Sequence, residues 1–256
     1  MKTSRYFLLA ATGLLLVIST TGLAVKATAA EVKVLSTIAA KSLFSAITPK
    51  FQHATGDILT IDFDTAAALQ KKIESDEPFD VAILTDTSAA ALIQDGKIMA
   101  DTRLDFARIG IGLAIRTGAP KPDIGTAGTF MDSLLKAKSI AYANDGASGT
   151  AFASVLQRLG IDSELKSRIK LVPAAGVMAL VALGKAELGV QLINEIAAAP
   201  GVELLGPLPP GLQSFIVLTA GAATSSKEPE AAKALIQFLR SPPALFLIKA
   251  KGMESG

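Results

Sequence analysis

The chain has 256 residues, half of them hydrophobic and 19% charged, with no Cys, no Trp, a single His and a formal net charge of +2. That length accommodates two lobes of roughly 100–150 residues each, with cores of their own. The hydrophobic fraction excludes a disordered chain, and the lack of cysteine excludes disulfides and thiolate metal sites.

Lys2 and Arg5 open the chain, no charge follows from Tyr6 to Val25, and small residues come next. Ala27-Thr28-Ala29 or Thr28-Ala29-Ala30 supplies the cleavage site. This is the pattern of an export leader over residues 1–30, cut near Ala29 or Ala30, and it predicts a periplasmic product. Gly13, Gly22 and interspersed Ser and Thr weaken the same stretch as a membrane anchor. Cleavage removes Lys2, Arg5 and Lys26 and no acid, so the net charge falls from +2 to −1, and Tyr142 becomes the only tyrosine. A basic, aromatic nucleic-acid surface is thereby excluded. A small ligand held mainly by hydrogen bonds is expected.

Val32–Ile38 is an apolar run suited to a buried strand, and Leu43, Phe44, Ile47 and Phe51 then recur at helical spacing up to Gly56. Pro49 inside that pattern is expected to kink the helix. Ile58–Phe63 alternates as a strand does, and Asp64-Thr65 is placed to cap a helix over Ala66–Glu74. Asp80–Leu84 reads as a third strand, and Ser88–Gln94 as a helix ending at Gly96. Strand and helix alternate as they do in a parallel sheet covered by helices.

A second set begins with the strand Ile109–Arg116, followed by a loop at Pro120, Pro122 and Gly125. A helix starting at Phe130–Leu135, a strand Ser139–Tyr142, a Gly-rich turn Gly146–Gly149 and a helix Thr150–Leu159 come next. Lys170–Val172, a helix near Val177–Leu183 and the strand Leu188–Leu192 continue the alternation. Gly206–Gly211, rich in Pro, reads as a rigid connection, and Phe215–Ala220 as a strand. Pro229 suits the first turn of a helix presenting Ala232, Leu235, Ile236 and Leu239, and Ser241-Pro242 stops it. Two α/β lobes are expected, one from about residue 31 to 108 and one over 109–212. Crossings near Arg108–Ile111 and Leu212–Ile216 leave a hinged cleft between them.

One His and no Cys leave no zinc site of the usual kind, and no phosphate-binding loop motif is present. Gly146-Ala147-Ser148-Gly149-Thr150 lacks the final Gly of a nucleophile elbow, and His53 sits at a helix end, so a hydrolase is excluded. What remains is a set of strand-to-helix turns rich in hydroxyls: Ser36-Thr37, Asp64-Thr65 and Ser148-Gly149-Thr150. Unpaired N–H groups and the dipole at a helix start favour an anion, although plain helix capping uses the same residues. Lys41 and Arg116 are candidate carboxylate clamps, Gln191 and Asn194 candidate neutral ligands. Glu195, Asp64 and Lys41 are the candidates for a base. No cofactor and no metal are expected.

The segment VKVLSTI–AAKSLFSAITPKF, the stretch FDTAAALQKKIESDEPFDVAILTD and GVMALVALGKAELGV together resemble periplasmic solute-binding proteins, the molybdate-binding components of ABC transporters above all. The resemblance implies a type II periplasmic-binding fold: an α/β architecture of two lobes with mixed, mostly parallel sheets, helices on both faces and a hinged cleft. In it residues 213–256 return to lobe one (31–108), lobe two spans 109–212, and a monomer delivers its anion to an inner-membrane ABC permease. Two cleft serines of molybdate binders fall on Ala39 and Ala66, and their cleft tyrosine on Leu192, which argues against molybdate itself. The GVQ strand and the GPLP–Q connection are also similar to exported relatives of aconitate isomerase, which interconvert cis- and trans-aconitate without a cofactor. Either a binding protein for a small carboxylate or oxyanion, or such an isomerase, is therefore expected. Its ligand contacts are expected among Ser36, Thr37, Lys41, Thr65, Arg116, Ser148, Gly149, Gln191 and Asn194.

Overall fold

The computed structural model describes residues 29–256; the expected leader lies outside the described residues except for its last two, Ala29 and Ala30. Strand β1 (Glu31–Thr37) passes through a short 3₁₀ turn into α1 (Lys41–Thr55). The chain continues through β2 (Ile58–Asp64), α2 (Ala66–Glu74), β3 (Val81–Thr85) and α3 (Asp86–Gln94). Pro49 lies inside α1 on its exposed side, where losing one ladder hydrogen bond faces solvent, while Leu43, Phe44, Ile47 and Phe51 stay fully buried. Apolar burial on one face carries the helix across its proline.

The second half runs β4 (Leu104–Arg116), α4 (Ala127–Lys136), β5 (Ile140–Ala143), α5 (Ala147–Leu159), α6 (Asp162–Leu165), β6 (Ile169–Val172), α7 (Ala174–Ala182), β7 (Leu188–Leu192) and α8 (Ile193–Ala198). Then follow β8 (Val202–Pro207), β9 (Phe215–Ala222), α9 (Pro229–Phe238), α10 (Pro242–Ala250) and the short β10 (Glu254–Ser255). Several elements differ from the sequence reading, which contains neither α6 nor β10. Residues expected as a turn at Gly146–Gly149 form the cap and first turn of α5. The half-buried strand β8 precedes and enters the expected rigid connection, where Gly201, Gly206 and Pro207 mask its weak apolar pattern. Ser241-Pro242 ends α9 but also starts α10, since Ser241 Oγ accepts from the Ala244 N–H at 3.4 Å.

The strands form a mixed sheet in the order β2-β1-β3-β9-β4-β7-β5-β6, with β8 and β10 pairing to β4. Parallel ladders join β1 to β2 and β3, and β5 to β6 and β7. Every antiparallel ladder among the described residues involves β4 or β9. Strand β4 changes partner midway: Leu104 through Gly110 pairs with β9, whereas Ile111 onward pairs with β7 and β8. Its Ile109, Ile111, Leu113 and Ile115 are at most 1% exposed, so one strand carries core on both sides of the crossover. No helix among the described residues is long and apolar enough to cross a membrane.

Candidate functional site

Strands β1, β2 and β3 lie side by side and parallel, so their carboxyl ends open on one edge. A threonine in the same extended conformation closes β1 and β3 and directly follows β2: Thr37 (φ −60, ψ 143), Thr85 (φ −71, ψ 154) and Thr65 (φ −67, ψ 150). This backbone turns a strand directly into a helix start, leaving the first helical N–H groups unpaired and facing outward. Thr65 Oγ1 accepts from the Ala68 N–H at 3.2 Å and Thr85 Oγ1 from the Ser88 N–H at 3.4 Å, so both cap helices. Thr37 makes no such side-chain cap bond.

Opposite these turns stand the starts of α5 and α7 and the β7–α8 junction. Together they enclose a cavity of about 210 Å³ lined by Thr37, Thr65, Thr85, Ser88, Asp145, Gly146, Ser148, Thr150, Ala174, Gln191, Leu192, Glu195 and Ile216, with small apolar residues between them. Ser148 Oγ donates to Gln191 Oε1, which also accepts from the Leu192 N–H at 3.1 Å. Gln191 Nε2 donates to the Ala174 carbonyl at 3.2 Å, so the Gln191 amide ties α5, α7 and β7 into one wall. Asp145 Oδ1 accepts from the Ala174 N–H at 2.9 Å and is thereby turned toward the start of α7. None of the described lining residues is basic.

Glu195 projects from the first turn of α8 into this cavity. Burial raises its carboxyl from the ordinary 4.5 to about 7, because the surrounding protein replaces water around the ionised form. A carboxyl poised there exchanges a proton near neutral pH, which suits general acid–base work or hydrogen-bond donation to an anion.

The residues singled out from sequence divide sharply. Thr37, Thr65, Ser148, Gln191 and Glu195 line the cavity. Ser36 is fully buried and donates to the Thr37 carbonyl at 3.3 Å, behind the lining rather than in it. Asn194 is buried beside the site and donates from Nδ2 to the Ala39 carbonyl at 2.8 Å, joining α8 to the turn after β1. Gly149 is not among the lining residues, and a Cβ there falls 1.8 Å from the Ala143 carbonyl oxygen, so its bare backbone lets α5 pack on β5. Lys41 is exposed with its Nζ 5.9 Å from the centre of the Phe63 ring, and Arg116 is exposed at the far end of β4. Both stand outside the lining, as does Asp64, whose carboxyl is held below its ordinary value by the Thr65 N–H and by Lys72 at 3.1 Å. An ion-paired, acid-shifted carboxylate is a poor base.

Sequence reasoning missed Thr85, Ser88 and Asp145 of the lining, and named Thr150 only as part of the turn Ser148-Gly149-Thr150. Thr85-Asp86 mirrors Asp64-Thr65 at the end of the next strand, a signal that was present in the chain.

Comparison with known proteins places these features in context. Residues 32–254 match the family described as bacterial extracellular solute-binding protein. An aconitate isomerase from Pseudomonas sp is 34% identical over 214 residues, covering 81% of this chain and 81% of that protein. A molybdate-binding protein ModA from Azotobacter vinelandii is 29% identical over 242 residues, covering 90% of this chain and 92% of its own. The solved periplasmic molybdate-binding protein of the same organism superposes with a TM-score of 0.73 at 23% identity, over 87% of this chain and 98% of that one, and bears on the fold alone. A match over nearly the whole described length, with strands and helix starts arranged around one cleft, makes the chain a member of the bacterial extracellular solute-binding protein family.

Proposed function

We propose that this protein is exported to the periplasm, captures a small anion in the cavity between two lobes, and presents it to an ABC-type inner-membrane permease. In this reading lobe one comprises residues 31–108 and 213–256, lobe two comprises 109–212, and the protein acts as a monomer. The observation that carries it is the convergence of helix starts and hydroxyls on one small cavity. Unpaired N–H groups and aligned dipoles attract an anion without a counter-charge. The relatives named for molybdate binding support an anion as cargo. Ala39 and Ala66 lack the hydroxyls expected of a molybdate site, which favours an organic carboxylate. Thermal melts with sulfate, molybdate, citrate and trans-aconitate test the reading: the carboxylates raise Tm and molybdate does not. A large shift with molybdate and none with carboxylates reverses the assignment of ligand.

A second reading, isomerisation of cis- and trans-aconitate, is favoured by Glu195 and by the relative named aconitate isomerase. Such chemistry removes an allylic proton and returns one across the double bond, which needs a group able to hold and release a proton near neutral pH. Glu195 is that group in the lining. Incubation of the protein with trans-aconitate, followed by chromatography for the cis isomer, decides it; ligand-induced stabilisation without conversion leaves transport.

A further inference from the structure

The cavity pairs an anion-attracting set of N–H and O–H donors with a carboxyl. Glu195 has no hydrogen-bond partner for its side chain among the described residues, whereas Asp145, the other lining acid, accepts from the Ala174 N–H at 2.9 Å. Helix α8 packs against α1, β4, β7 and β8. Strand β7 carries no charge, and the charged groups of the others, Lys41, Arg108, Arg116 and Glu203 among them, stand outside the lining. Among the described residues, no cation therefore compensates Glu195 inside the cavity. An anion entering a space of about 210 Å³ meets the Glu195 carboxyl at close range, where two negative charges cannot both be held without water or a counter-ion.

We infer that the site takes up its anion together with one proton, and that in the bound state Glu195 is the neutral acid and donates its O–H to the ligand. The inference rests on the anion-capture reading and adds to it a rule of selectivity. The site discriminates against ligands at alkaline pH, where each fully ionised anion arrives with a proton drawn from solution. Atoms and charge balance simply: the solvent proton ends on a Glu195 carboxyl oxygen and is released when the ligand leaves. Burial already holds this carboxyl near its titration midpoint at neutral pH, so the ligand has little further work to do.

Calorimetric titration of the purified protein with sulfate, molybdate, citrate and trans-aconitate, from about pH 6 to about pH 9, tests this. The expected result is a Kd that weakens by up to roughly tenfold per pH unit on the alkaline side. At about pH 9, titration heats in two buffers of different ionisation enthalpy report uptake of about one proton per site for a ligand that is itself fully ionised, and the uptake falls toward zero by about pH 6. Glu195→Gln carries a permanent neutral donor, so it binds more tightly than the wild type at about pH 9, by tenfold or more. Comparing it with the wild type on one ligand cancels the ligand's own ionisation. If Glu195→Gln fails to fold, proton uptake by the wild type above about pH 8 carries the test alone, since all four ligands are fully ionised there and bring no titrating proton. Binding that is flat with pH and without proton uptake overturns the inference and leaves anion capture standing. No binding of any of the four near pH 6 overturns the reading of the site, and this inference with it.

Discussion

The side-chain amide of Gln213 clasps the backbone of Ile111, its Oε1 accepting from the Ile111 N–H at 2.9 Å and its Nε2 donating to the Ile111 carbonyl at 2.9 Å. Ile111 is the residue at which β4 leaves β9 and takes up β7, so the amide stands in for a strand partner at the switch. The space is tight: a Cβ on Gly110 falls 3.1 Å from Gln213 Nε2.

Replacing Gln213 by Ala leaves the Ile111 N–H without its partner, while the Ile111 carbonyl keeps the Leu208 N–H at 3.1 Å. The expected cost is about 1–3 kcal/mol, read as a lower urea midpoint with an unchanged slope. A change within error removes the clasp from the stability of the crossover.

Gly149→Ala probes a different constraint. The added methyl meets the Ala143 carbonyl at 1.8 Å, and backbone cannot give way as a side chain does. A loss of about 2 kcal/mol or more is expected, with reduced yield of folded protein. Gly176→Ala, whose Cβ finds nothing nearer than 3.7 Å, is the control and leaves Tm nearly unchanged.

Asp80 is a buried acid outside the cavity lining. Its Oδ2 accepts from the Lys33 N–H at 2.8 Å, and its Oδ1 from Ser226 Oγ at 2.7 Å and the Lys227 N–H at 3.1 Å. It thus ties β1 to the segment leading into α9. Asp80→Ala strands these donors and is expected to cost on the order of 3 kcal/mol, measured by chemical denaturation.

Glu195 makes stability fall as pH rises. Its folded value of about 7 exceeds the ordinary 4.5, so between these values the native state binds more protons than the unfolded chain. Each step upward in pH then favours unfolding, and above the folded value the loss levels off at on the order of 3 kcal/mol. Glu195→Gln is accordingly more stable than the wild type at about pH 8 and gains little at about pH 4.5. Urea titrations at the two pH values give the comparison, and equal differences at both would falsify the assignment to Glu195.

Much of the α/β alternation was legible because its signals are local. Thr65 before Ala66–Glu74, and the apolar run of β7, are readable from neighbouring residues alone. Strand β8 was not, since its half-buried residues acquire meaning only by pairing with β4, far away in the chain. The same reason separates the site residues. Charge made Lys41, at a helix start, and Arg116, at the end of a strand, plausible clamps, yet both are exposed and stand outside the cavity lining.

The net charge shows the division most clearly. Sequence alone determined that residues 31–256 are close to neutral, so no global field of theirs draws an anion from a distance. It also determined which residue types were on hand: hydroxyls before helices, an amide at Gln191 and an acid at Glu195. Tertiary structure decided that these converge, that no basic side chain among the described residues joins them, and that Glu195 is the acid deprived of water. Desolvation is a property of everything packed around a group, and packing brings together residues that the chain keeps more than a hundred positions apart.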